Sequence, residues 1–243
     1  MKKIIIVGAS SGIGKQVALN FIADGWKVGV AARREEALKE LKLQFPAQVE
    51  YEVIDITSTD ATSRFNALID KLGGMDIYFH CSGVGHQNTK IDIKVEVDTV
   101  RTNALGFTQM TVAAYDYFKD NKKQGQIAVV SSIAGTKGLG VSPSYSATKR
   151  YNYIYLDCLE QLSRMQNVNI TFTDIRPGFV TTALLDDGQK YPMQMSVEYA
   201  AKKIFKAVKR RKRVAVIDWK YSILVLFWKL IPRWLWVRLP IHT

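Results

Sequence analysis

The chain has 243 residues, 47% of them apolar and 23% charged, which excludes a disordered protein and leaves enough length for a core that needs no staples. Two cysteines, Cys81 and Cys158, exclude a disulfide scaffold, and three scattered histidines argue against a zinc site. The net charge of +12 sits almost entirely at the end: residues 202–243 hold twelve Lys and Arg against one acid, Asp218, while residues 1–201 hold 22 against 21, which argues against nucleic-acid binding by the main body.

Lys2–Val7 is a short β-branched run that stops at a glycine, the pattern of a buried strand. The spacing then predicts a helix over Gly12–Asp24, a strand over Lys27–Ala31, a helix over Arg34–Leu43 and a strand over Val49–Ile54. A Ser/Thr-rich stretch follows, with a helix to Leu72, a fourth strand at Asp76–His80 and a long helical region to about Asn121. Gln126–Ser131, Val168–Ile175 and Val214–Ile217 read as strands, with helices at Ser144–Met165 and from an N-cap at Ser196 to about Arg211. Strands alternating with helices predict one α/β domain, a doubly wound, mostly seven-stranded parallel sheet of Rossmann type over residues 1–218. Residues 219–243 form an aromatic and basic extension, not a domain of their own. The apolar run at the start is too short for a signal peptide, and the chain is expected to be reduced and cytoplasmic.

Gly8-Ala9-Ser10-Ser11-Gly12-Ile13-Gly14 lies between the first strand and the first helix. A glycine turn there lets the backbone approach a pyrophosphate, and the helix N-terminus offers free N–H groups. A structural tight turn is the plainer alternative. The second strand ends in Ala31-Ala32-Arg33-Arg34, where dinucleotide folds often carry an acid for the ribose hydroxyls. A guanidinium suits a 2′-phosphate, so Arg33, with Arg34, favours NADP(H) over NAD(H). Tyr145 and Lys149, four apart, share a helix face, where an ammonium would lower the phenol pKa and let it pass a proton near neutral pH. Ser132 closes the fifth strand at the carboxyl edge of the sheet, positioned to hold a carbonyl oxygen.

Gly8-x-x-x-Gly12-x-Gly14, Asp55-Ile56, Asn103, Ser131-Ser132, Tyr145-x-x-x-Lys149 and Pro177-Gly178 follow one another in an order and spacing that resembles the short-chain dehydrogenase/reductase family. The resemblance implies a catalytic set of Asn103, Ser132, Tyr145 and Lys149. Tyr145 would act as acid or base, Lys149 would hold the nicotinamide ribose, Ser132 would polarise the carbonyl and Asn103 would hold a relay water. It implies cofactor contacts from the glycine loop (Ser10, Ser11 and Ile13 included), from Asp55 and Ile56 at the adenine, from Gly83, and from Pro177, Gly178, Val180 and Thr182 beside the nicotinamide. No metal is implied, and a homodimer or homotetramer is usual for the family. One motif departs: His80-Cys81-Ser82-Gly83 stands where the family usually has Asn-Asn-Ala-Gly. His80 reads as a buried structural histidine and Cys81 as no nucleophile.

The reaction expected is hydride transfer between the nicotinamide and a carbonyl or secondary alcohol, with a lipophilic ketone as substrate. A non-catalytic dinucleotide sensor or scaffold is the alternative. Leu184–Met195 is expected to form a lid, with Met193 and Met195 lining an apolar pocket. Trp219–Leu239 holds four of the five tryptophans, but its longest uncharged run, Tyr221–Trp228, is far below the ~20 residues of a membrane span. With the basic cluster Lys209–Arg213 it suggests a peripheral contact of residues 209–239 with an anionic membrane; cover for the cleft or a subunit interface are the other uses for such a tail.

Overall fold

A computed structural model describes residues 1–182 and 191–241. Its strands are β1 (Lys3–Val7), β2 (Lys27–Ala32), β3 (Val49–Val53), β4 (Ile77–His80), β5 (Gly125–Val130), β6 (Ile170–Pro177) and β7 (Val214–Ile217). They form one sheet in the order β3-β2-β1-β4-β5-β6-β7, every neighbouring pair parallel. The helices are α1 (Gly12–Ala23), α2 (Glu35–Gln44), α3 (Ala61–Leu72), α4 (Ile93–Val100), α5 (Phe107–Asp120), α6 (Pro143–Met165), α7 (Val197–Lys209), α8 (Trp219–Leu230) and α9 (Arg233–Trp236). The expected Rossmann-type sheet is therefore the observed one.

Alternation along β1 shows how the layers form. Ile4 and Ile6 pack with Val17 and Phe21 of α1, Leu38 of α2 and Ile204 of α7. Ile5 and Val7 face the other way, onto Phe65 of α3, Phe107 of α5 and Leu156 of α6. Both faces of the sheet are thus buried, as an all-parallel sheet requires.

The long helical region expected before Asn121 is two helices joined by a π-helical turn, Arg101–Gly106. The extension, for which no helix was expected, forms α8 and α9, and Tyr221 and Val225 of α8 join the core beside α7. The chain order reverses between β1 and β4. Their carboxyl ends open a crevice there, the place where this class of sheet binds ligands.

Candidate active site

The turn after β1 brings backbone against backbone. Gly8 has φ +93°, and a Cβ there would lie 2.6 Å from the Ser82 amide nitrogen; one on Gly14 would lie 2.1 Å from the Gly8 carbonyl oxygen. Only glycine fits, and the first turn of α1 closes directly onto the strand. Ser11 is extended at the N-cap of α1. The Arg34 guanidinium donates to the Ser10 hydroxyl at 3.1 Å and also to Ser11, so it braces the loop. Arg33 lines the same cleft beside Asp55. Burial raises the Asp55 pKa, but the Thr57 amide and hydroxyl, at 2.9 and 2.8 Å, and the Arg33 charge outweigh it and hold the carboxyl below its usual range.

The cleft encloses about 1250 Å³. Apart from Asn103, every candidate site residue lines it. Asn103 lies just behind the wall, buried in the π-helical turn. Its amide accepts from Val84 N at 2.8 Å and donates to Val84 O at 2.7 Å, and its own carbonyl accepts from the Asn152 side chain at 2.9 Å. It anchors the stretch that passes Gly83 and Gly85. Gly85 lies so close to the Tyr145 ring that a Cβ would sit 2.8 Å from it.

Ser132 follows β5. Its hydroxyl accepts from Ala134 N at 3.1 Å and bonds with Tyr145. Tyr145 and Lys149 stand one turn apart on α6, with the Lys149 ammonium 5.7 Å from the Tyr145 ring centre. Here the electrostatics differ from the expectation. Burial raises the Tyr145 pKa and exceeds the lowering by Ser132. Burial is the largest influence, and the Lys149 Nζ donates to the Val130 carbonyl at 3.0 Å. Lys149 is itself buried, which pushes its pKa down to about 8.

Several contributors were not singled out from the sequence, although cover of the cleft by the extension was one expected use of it. The buried Asp174 carboxylate accepts from the Ser131 hydroxyl and, at 2.6 Å, from Arg176, whose guanidinium stacks on Tyr153 of α6 at 4.2 Å. Glu96 accepts from Ser144 N at 3.0 Å, on the first turn of α6, and from the Asn88 amide at 2.8 Å. Tyr221 of α8 accepts from Phe179 N at 3.1 Å and donates to Pro192 O at 2.9 Å; its ring leaves no room for a Cβ at Gly178. Trp228 reaches the cleft wall, and Trp236 packs with Ala134, Leu139 and Val141 beside Tyr145. The signals were there only as aromatic residues in the extension and an acid two residues before Arg176.

The short chain dehydrogenase family model matches residues 2–192. The chain belongs to that family. Among its relatives, "Dehydrogenase/reductase SDR family member 7B" of Xenopus tropicalis is 28% identical over 240 residues, covering 88% of this chain and 76% of that protein. An "Uncharacterized oxidoreductase" of Myxococcus xanthus is 30% identical over 237 residues, covering 94% and 92%. The structure titled "ElxO with NADP Bound" matches with a TM-score of 0.79 at 23% identity over 91% of this chain and 99% of that one, a likeness of fold.

Two further expectations meet the geometry. In this short-chain dehydrogenase His80 is buried, shares a 2.7 Å hydrogen bond between Nδ1 and the Tyr78 hydroxyl, and stands edge-on to Phe107. Burial first, and the Lys149 charge second, push its pKa down to about 3. Burial pushes the Cys81 thiol up to about 12, which suits packing and not nucleophilic attack. Most of the expected lid, Leu184–Met195, lies outside the described residues. Met195 does not line a pocket: it is buried in the core, bonded through its backbone to Phe179 and Thr181, and Met193 is exposed on the surface.

The glycine cradle fits a dinucleotide. Its close turn leaves backbone N–H groups at a helix N-terminus, two serine hydroxyls and two guanidinium groups around one end of the cleft, a donor set made for phosphates.

Proposed function

We propose that this oxidoreductase uses NADP(H) to interconvert a carbonyl and a secondary alcohol on a lipophilic molecule. The observation that carries the proposal is the meeting of Ser132, Tyr145 and Lys149 in the cleft that the glycine loop and Arg33 also line. The nicotinamide supplies the hydride. Arg33 and Arg34 would hold the phosphate end, and Asp55 and Ile56 would hold the adenine. Pro177, Gly178, Val180 and Thr182 would hold the nicotinamide. Ser132 donates to the substrate oxygen, and Tyr145 hands over its proton at Oη as charge develops there. Lys149, charged below about pH 8, would hold the nicotinamide ribose. Asn103 keeps the wall at Val84 in place.

The lipophilic substrate is argued from the apolar part of the lining, which includes Leu139, Phe179, Tyr191 and Trp228. Exposed Ile93, Val97, Val100, Leu105, Tyr151 and Ile154 on α4–α6 support a homo-oligomeric interface. The two free cysteines suit a reducing, cytoplasmic compartment.

The test is NADPH consumption on a panel of apolar ketones and aldehydes, with thermal unfolding beside it. Tyr145→Phe should lose about 10²–10⁴ in turnover yet keep its thermal stabilisation by NADPH. Arg33→Ala should shrink the NADPH shift towards that given by NADH. Turnover by Tyr145→Phe equal to wild type would reject the acid; a shift with neither cofactor would reject the dinucleotide.

A further inference from the structure

The extension has two sides with different duties. Tyr221, Val225 and Trp228 recur at helical spacing on the side of α8 that faces the protein. Trp219, Ile223, Leu226, Phe227 and Leu230 recur at the same spacing on the opposite side, and all are exposed: Phe227 is 60% and Leu230 72% accessible. Trp234 (62%) and Val237 (64%) extend this apolar surface past Pro232. Lys220 and Lys229 fall at its two borders by the same periodicity. A face this apolar needs a partner.

The neighbouring surface says which kind. Between α7 and the start of α8, alongside the edge strand β7, runs a groove of about 550 Å³ lined by Lys203, Lys206, Arg210 and Lys212 and bordered by Trp219. Its one acid, Asp218, is engaged as the N-cap of α8, accepting from Lys220 N at 3.1 Å and from the Tyr199 hydroxyl at 2.9 Å. Apolar side chains flanked by lysines, with tryptophans at the border and a basic groove alongside, match the layers of a bilayer surface: acyl chain, carbonyl belt and anionic headgroup. Among the described residues no helix is long and apolar enough to cross a membrane.

We propose that the outer side of α8–α9 and the basic α7–β7 groove together dock this protein peripherally on an anionic lipid bilayer. Leu226, Phe227 and Leu230 enter the acyl boundary, and Lys206 and Arg210 bind headgroup phosphates. The inner side of the same helix carries Trp228 to the cleft wall, so the docked face lies next to the apolar mouth of the site. The contact does not depend on the reaction at Tyr145.

The test is co-sedimentation of the full chain with vesicles of phosphatidylcholine alone or of phosphatidylcholine and phosphatidylglycerol in equal parts, at low and physiological salt. Binding should favour the anionic vesicles by roughly tenfold or more and weaken with salt. Leu226→Glu/Phe227→Glu should abolish binding to both. Lys206→Glu/Arg210→Glu should remove most of the anionic preference. Both double variants alter exposed side chains and should keep the wild-type unfolding temperature. Size-exclusion chromatography is run on each. No wild-type binding to anionic vesicles would overturn the proposal, as would equal binding to both vesicle types. So would an oligomer that Leu226→Glu/Phe227→Glu breaks to monomer, because the face would then belong to a second copy.

Discussion

Lys149 and His80 lie close enough for the charge of one to act on the other, and both are buried. Burial disfavours the charged form of each, and the Lys149 ammonium adds to the cost of charging His80. The balance leaves one cation near the phenol of Tyr145, not two. A neutral histidine held to about pH 3 has a stability consequence whose sign is fixed. The unfolded chain takes up the proton at about pH 6.5, while the folded chain refuses it until about 3. Between those values the unfolded state binds one more proton, so stability falls as pH falls, by at most about 1.4 kcal/mol per pH unit from this residue. His80→Asn removes that part of the pH dependence while placing at this position the amide usual in the family. Urea unfolding at pH 7 and pH 5 should show the variant losing roughly 2 kcal/mol less than wild type across that interval. Parallel losses in the two proteins would mean that His80 is charged in the folded state.

At the scale of elements, the helix that carries Tyr145 and Lys149 depends on groups that are remote in sequence. Pro143 opens α6, and the Ser144 N–H in its first turn is an orphan donor that Glu96 satisfies from α4. The same carboxylate takes the Asn88 amide, so one side chain ties the loop before α4 to the start of the helix that carries Tyr145. Glu96→Gln leaves one of these two donors facing an NH₂ group. The expected result is a loss of about 1–3 kcal/mol in unfolding free energy, a several-fold fall in kcat/KM and an unchanged NADPH-induced thermal shift. Unchanged kinetics would show that α6 holds Tyr145 in place without this cap. None of this was legible, because a capping carboxylate 48 residues away leaves no local pattern. The strands were legible to within a residue or two at most ends, since buried parallel strands read as continuous β-branched runs. The π-helical turn was not. It arises because Asn152 takes the Asn103 carbonyl, a contact between two elements. The Ser196 N-cap was visible, and its hydroxyl does accept from Tyr199 N, because a cap is a local interaction.

For the molecule as a whole, alternation and the glycine turn were sufficient to foresee a doubly wound sheet, and the crevice at its switch point follows from the order of the strands. What composition could not resolve is how the extension divides its aromatic residues between inside and outside. Trp236 shows the inside use. It is nearly buried, its indole N–H donates to the Gly138 carbonyl at 2.7 Å, it meets Trp228 edge-on at 5.3 Å, and Lys137 sits 5.6 Å over its ring. Lys137 also donates to the Ile231 carbonyl at 2.7 Å. The extension therefore fastens the segment between Ser132 and Tyr145, the two hydroxyls proposed to meet on one substrate oxygen. Trp236→Ala should cost about 3–5 kcal/mol through lost area and a cavity, and should loosen residues 134–141. Trp236→Phe keeps most of the area and loses only the indole bond, so it should cost about 1–2 kcal/mol. If the fastening matters for function, KM for the carbonyl substrate rises several-fold in Trp236→Ala and much less in Trp236→Phe, while NADPH affinity stays constant in both, because the glycine loop and Arg33 follow β1 and β2, across the switch point from the β5 that leads into the fastened segment. Steady-state kinetics paired with an NADPH titration separates the two effects. An equal loss of cofactor affinity would mean that the extension holds up the whole sheet edge and not the substrate wall.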